Sequence, residues 1–209
     1  MRTVAVLFCV LSSLALYAAE TSLGVFVGEE RVGAAKLKQT RAADGGVISQ
    51  IELRMNAGGS EVTVLQINEY AADGTPRRKY SKQTSAAGVE VRVVTFRGAT
   101  ATLIIEKGGS TTTRSFSAPA GAEIRARSEL WFRTIQPKAG DTETYYRFEL
   151  NTMTWQKTVV KYEGKKALHV GGKEMSCHVV SVNEMKSYLD DEGLPVRIEV
   201  GPMVMVREG

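Results

Sequence analysis

Val47-Ile48-Ser49-Gln50-Ile51-Glu52-Leu53-Arg54-Met55 places apolar residues at 47, 51, 53 and 55, and polar or charged ones at 50, 52 and 54. Side chains two apart share a face of a strand, whereas a helix brings together those three or four apart. The period of two therefore reads as a half-buried β-strand. Working outward, Glu61 to Tyr70 alternates more loosely, with Val62 and Val64 on one side and Leu65 and Ile67 on the other. Val89 to Phe96 and Thr100 to Lys107 are rich in Val, Ile and Thr, as strands favour. Arg97-Gly98-Ala99 between them reads as a hairpin turn. Further strand candidates are Thr111 to Ser117, Thr142 to Leu150, Met153 to Tyr162, Ala167 to Val170, Cys177 to Glu184, Val196 to Val200 and Met203 to Arg207.

Glycine punctuates these runs at Asp44-Gly45-Gly46, Asp73-Gly74, Gly108-Gly109 and Gly171-Gly172. Turns recur about every 10–15 residues, the spacing of an antiparallel meander. The fold class expected is all-β or nearly so, as one antiparallel domain over residues 20–209. A single short helix or crossover near residues 124–135 is the exception, set between Pro119 and Pro137.

The first 19 residues differ from the rest. Arg2 precedes an apolar run from Val4 to Leu16, followed by the small residues Ala18 and Ala19. A basic start, a short apolar core and a small-residue exit make a secretory signal peptide over residues 1–19, cleaved after Ala18 or Ala19. The apolar core is too short to span a bilayer. Phe8 stands where a lipidated Cys9 would need a small residue, so no lipid anchor is expected. The expected location is periplasmic or secreted, with no membrane span in the mature form.

The whole chain has 27 Lys plus Arg against 23 Asp plus Glu, a net charge of +4. Its densest basic runs, Arg77-Arg78-Lys79 and Lys165-Lys166, are too short for a nucleic-acid surface. They read as solvated strand edges and turns. Without the leader Cys177 is the sole thiol, so no internal disulfide forms and the core must carry the stability.

A weak repeat relates Tyr70-Ala71-Ala72-Asp73-Gly74-Thr75-Pro76 to Tyr188-Leu189-Asp190-Asp191-Glu192-Gly193-Leu194-Pro195. Each is a Tyr, a short step, and an acidic Gly-x-Pro turn into a strand. Two pseudo-repeated halves, about 21–118 and 138–209, or two convergent hairpins, both account for it.

The order of leader, meander, Pro-flanked crossover and closing acidic Gly-x-Pro hairpin resembles exported bacterial β-rich domains of uncharacterised function. It is similar to the LolA and LolB type of lipoprotein-carrier half-barrel, and to the β-domains preceding some bacterial transglutaminase-like modules. The resemblance implies a strongly curved antiparallel sheet, an open half-barrel whose concave face takes an apolar ligand.

Catalytic and metal chemistry find little footing. Cys177 and His178 are strand neighbours and point to opposite faces. His169, the only other histidine, lies across the Gly171-Gly172 turn from Cys177, and a pairing of the two is geometrically open. No G-x-S-x-G elbow or phosphate loop occurs, and no zinc-type spacing supports a metal. No catalytic residue, metal or cofactor is expected.

Aromatic residues carry the remaining signal. Trp131, Phe132, Tyr146, Phe148 and Trp155 fall within 25 residues. One reading has Tyr146, Phe148 and Trp155 as plain core of the second half. The sharper one has Trp131 and Phe132 roofing an apolar pocket floored by the others. The leading functional expectation is a non-enzymatic exported domain binding an apolar or lipid-like ligand. The alternative is a structural module that presents a strand edge or convex face to an envelope protein, and a Cys177-dependent enzyme comes third.

Overall fold

The computed structural model describes residues 18–57, 59–124 and 136–208. Among them there are fourteen strands and no helix. These are β1 (Ala18–Val27), β2 (Glu30–Arg41), β3 (Val47–Ala57), β4 (Ser60–Tyr70), β5 (Pro76–Ser85), β6 (Gly88–Arg97) and β7 (Thr100–Lys107). They continue as β8 (Ser110–Ser117), β9 (Thr142–Glu149), β10 (Thr154–Val170), β11 (Lys173–Val182), β12 (Met185–Leu189), β13 (Pro195–Val200) and β14 (Met203–Arg207). The helix or crossover expected near 124–135 falls almost wholly outside the described residues, as do Trp131 and Phe132.

All fourteen strands form one antiparallel sheet in the order β8-β7-β6-β5-β4-β3-β2-β1-β14-β13-β12-β11-β10-β9. Every neighbour is consecutive in sequence except β1 and β14, which pair with Val25 opposite Met205. The first and last strands thus lie together at mid-sheet. β10 runs unbroken for 17 residues where two separate strands were expected. Its pairing shifts between Tyr162 and Gly164, and this bulge absorbs the break in alternation.

Directly paired residues point to the same face, so the register carries one face across the whole sheet. Thr158 and Val160 on β10 connect through Val182, Met185, Val200 and Met203 to Val27. From Leu23 the same face passes through Ala35, Leu53 and Val64 to Gln83. It reaches Val94 and Leu103 by way of Ser49, Asn68 and Lys79. This is the concave face.

One cluster breaks the rule. Val94, Ala101 and Leu103 of the concave face pack against Phe148 and Leu150. Phe148 pairs with Trp155, and both point away from the side of Tyr145 and Thr158. The outer side of β9–β10 therefore lies on the inner side of β6–β8. The ends of the sheet overlap, one tucked inside the other, and do not join into a closed barrel.

The expected turns are present. Gly74 takes a φ of +83° and Gly193 one of +84°. Ala71 and Thr75 bracket the first turn with an N–H···O bond of 2.8 Å, and Asp190 and Leu194 bracket the second at 2.9 Å. Ala42 and Gly46 close a third of the same form at 2.8 Å, with Gly45 at φ +81°. These bonds align Tyr70 with Leu189, one residue from the Tyr-to-Tyr match of the sequence.

Because Phe148 is 1% exposed and bridges the overlap, Phe148→Ala is expected to cost about 3–5 kcal/mol of unfolding free energy. Val159→Ala, on an exposed outer position, is expected to cost well under about 1 kcal/mol. Urea unfolding of the two variants measures the difference.

Candidate functional site

The aromatic residues singled out in the sequence separate. Phe148 and Trp155 meet edge to face at 5.7 Å. Phe96 and Phe116 from the opposite wall stand 6.5 and 5.2 Å from Phe148. Trp155 Nε1–H donates to the Phe116 carbonyl at 3.1 Å. Both rings are thus spent on the overlap between sheet ends. Tyr146 lies outside that cluster, and its backbone N–H donates to Glu123 O at 2.6 Å, covering part of the free edge of β9.

Apolar surface that stays half open lies elsewhere, on β13, β14, β2 and β3. Leu37, Leu53, Met55, Ile198, Met203 and Met205 are half-buried and pack around the fully buried Leu23 and Val25. The register puts all of them on the concave face. Three of the six are methionines, whose unbranched thioethers adapt to varied apolar shapes. Met203 and Met205 sit in a strand read from the sequence, but nothing local marks them as neighbours of Met55.

Further along the same face the chemistry changes. Across β3–β6 the concave face also carries a polar patch, Ser49, Gln66, Asn68, Lys79, Ser81 and Arg92, beside Ile51, Val64 and Val94. Lys79 is 8% exposed, and its Nζ donates to Phe148 O at 2.7 Å. Burial pushes its pKa down to about 8, against a smaller opposing pull from Glu149. Arg92 donates to Leu150 O at 2.7 Å and pairs with Glu90 at 2.5 Å. Asn68 Oδ1 is buried without a hydrogen-bond partner.

The Cys177 region is arranged differently. Cys177 is fully buried, and burial raises its thiol pKa. Its register partner is Lys166, while His169 lies near the turn opposite Glu174. His178 turns to the other face, where its Nδ1 meets Tyr162 Oη at 2.8 Å and its Nε2 meets Asp191 at 3.1 Å. Burial lowers the His178 pKa, and the neighbouring Lys165 lowers it further. No group of three or more metal-ligating side chains occurs among the described residues.

A shallow groove of 330 Å³ is lined by Arg31, Ala34, Arg54, Met55, Asn56 and Glu61. Ala34, Arg54, Asn56 and Glu61 face the convex side, so the groove does not continue the concave apolar strip.

With this geometry in place, comparison with known proteins adds the fold. The chain is similar to the crystal structure of a β-barrel-like protein of domain of unknown function DUF1849 from Brucella abortus. The TM-score is 0.54 at 12% identity, over 92% of this chain and 95% of that one. No protein-family model matches, and no curated protein does. At that identity the likeness is one of fold: a β-rich domain whose sheet is barrel-like.

Lys79 gives the site a pH signature. Its folded pKa of about 8 lies below its unfolded value, so between them the unfolded chain holds more protons and stability rises with pH. Relative to Lys79→Met, the wild type is expected to gain about 2 kcal/mol between pH 7 and 9.5. Equal slopes in paired urea titrations would refute the buried ammonium.

Proposed function

We propose that the protein is an exported, non-enzymatic β-domain that binds an apolar or lipid-like ligand on its concave face. The carrying observation is the half-open strip of Leu37, Leu53, Met55, Ile198, Met203 and Met205. A contiguous apolar surface left open on a curved sheet is the kind of feature that ligand sites use. The leader over residues 1–19 and the resemblance to lipoprotein-carrier half-barrels support the same reading. The burial of Cys177 and the turn of His178 toward Tyr162 count against thiol chemistry.

N-phenyl-1-naphthylamine, a neutral probe that brightens in apolar sites, is expected to bind the mature protein. The double variant Leu53→Gln, Met205→Gln is expected to weaken it about tenfold or more, since each change removes a buried-side apolar contact. An unchanged affinity in a variant of normal thermal stability would move the site off this strip.

One observation favours a second reading, a module that docks to an envelope protein. On β4–β7 the convex face carries Leu65, Ile67, Tyr80, Val91, Val93 and Ile104, all half-buried. Val93→Lys with Ile104→Lys is expected to leave probe binding intact. If the docking reading holds, that pair abolishes an in-cell cross-link that the wild type makes.

A further inference from the structure

The concave face carries a polar patch across β3–β6 beside the apolar strip, and two groups in it lack the partners that burial demands. Lys79 is 8% exposed, yet among the described residues its one hydrogen bond goes to a neutral carbonyl, Phe148 O, and it makes no ion pair; Glu149 acts on it only at longer range and pairs with Arg147 at 3.4 Å. A buried ammonium without a directly paired counter-charge is costly, and one carbonyl engages only one of its three N–H donors. Asn68, its direct register partner, holds a buried Oδ1 with no hydrogen bond. Opposed residues bring their Cβ atoms within about 5.5 Å, so both deficits occupy one place. Ser49 and Gln66 beside Asn68, and Ser81 beside Lys79, surround that place with half-exposed hydroxyl and amide groups.

We propose that Ser49, Gln66, Asn68, Lys79 and Ser81 form a head-group site for an anionic amphiphile whose chain lies along the apolar strip. This rests on the proposed apolar-ligand reading and adds the ligand's class to it. Leu53 pairs with Val64 in the row beside Gln66 and Ile51, so strip and polar patch are continuous. An anionic head supplies the direct ion-pair partner that Glu149, engaged with Arg147, does not. Its chain covers Leu53, Leu37 and the methionines. Arg92 does not take this role, because Glu90 already neutralises it.

The test displaces bound N-phenyl-1-naphthylamine with dodecanoate or with 1-dodecanol, which share a chain and differ in charge. Wild type is expected to release the probe to dodecanoate at a concentration about tenfold lower than to dodecanol. Lys79→Met should erase that preference and Lys79→Arg should keep it. Because Lys79 also contacts β9, the double variant Gln66→Ala, Asn68→Ala is run alongside. It leaves the Phe148 carbonyl bond in place and is expected to reduce the preference at unchanged Trp155 emission. Equal competition by dodecanoate and dodecanol on the wild type overturns the head-group site while the apolar strip stands. If the probe never binds, or neither amphiphile displaces it, the apolar-ligand reading itself falls. A preference that survives both Lys79→Met and the double variant places the anion elsewhere and overturns the assignment.

Discussion

The overlap of the two sheet ends is the contact on which the rest of the molecule depends. β8 and β9 are not hydrogen-bonded neighbours, so no ladder closes the roll. Side chains close it. Phe148 fills the space between the layers, and Lys79 and Arg92 reach across from β5 and β6 to the carbonyls of Phe148 and Leu150. Trp155 satisfies Phe116 O at the edge of β8. Backbone groups at a sheet end need partners as much as those inside it, and here three side chains supply them. The same closure buries Lys79, so the closing contact and the charge it strands have one origin.

The overlap also explains why alternation is clean in some strands and blurred in others. At mid-sheet the convex side meets water and the concave side meets the core, and β3 shows the simple pattern. On β4–β6 both faces are mixed: Asn68, Lys79 and Arg92 line the inside, while Ile67, Tyr80 and Val93 lie outside. Burial alone does not require a polar interior there. The apolar strip on the concave face, the apolar positions on the convex face of β4–β7 and the polar patch between sheet layers thus occupy three separate places.

Strand existence and turn positions were legible because they are local properties. A glycine at positive φ after an acidic residue marks its turn whatever the distant packing. The sequence match between two hairpins was a residue out because Tyr is the more visible residue, while turn hydrogen bonds define the true alignment. Phe148 and Trp155 were readable as core of the second half, yet period two does not say which wall their face meets. Lys79 was hidden inside Arg77-Arg78-Lys79, a run that reads as solvated charge. Register separates its members: Arg78 turns outward over the Tyr80 ring at 5.7 Å, and Lys79 turns inward. The methionine strip had no sequence signal, since Met55 and Met205 reach the same Leu23–Val25 cluster only because β1 joins β14 to β2 and β3.

That junction has a consequence for assembly. Every other strand pair forms between neighbours in the chain, whereas β1 waits for β14, separated from it by nearly the whole sequence. Contacts of such separation form slowly, because loop closure must precede any gain from burial. Leu23 and Val25, fully buried, are covered from one side only when Met203 and Met205 arrive. The hairpins can therefore form early while the concave apolar strip assembles last. The sheet is thus incomplete at its middle until the last strand docks. Until then Leu23, Val25, Leu37, Leu53 and Met55 on the early β1–β3 meander lack the cover of Ile198, Met203 and Met205.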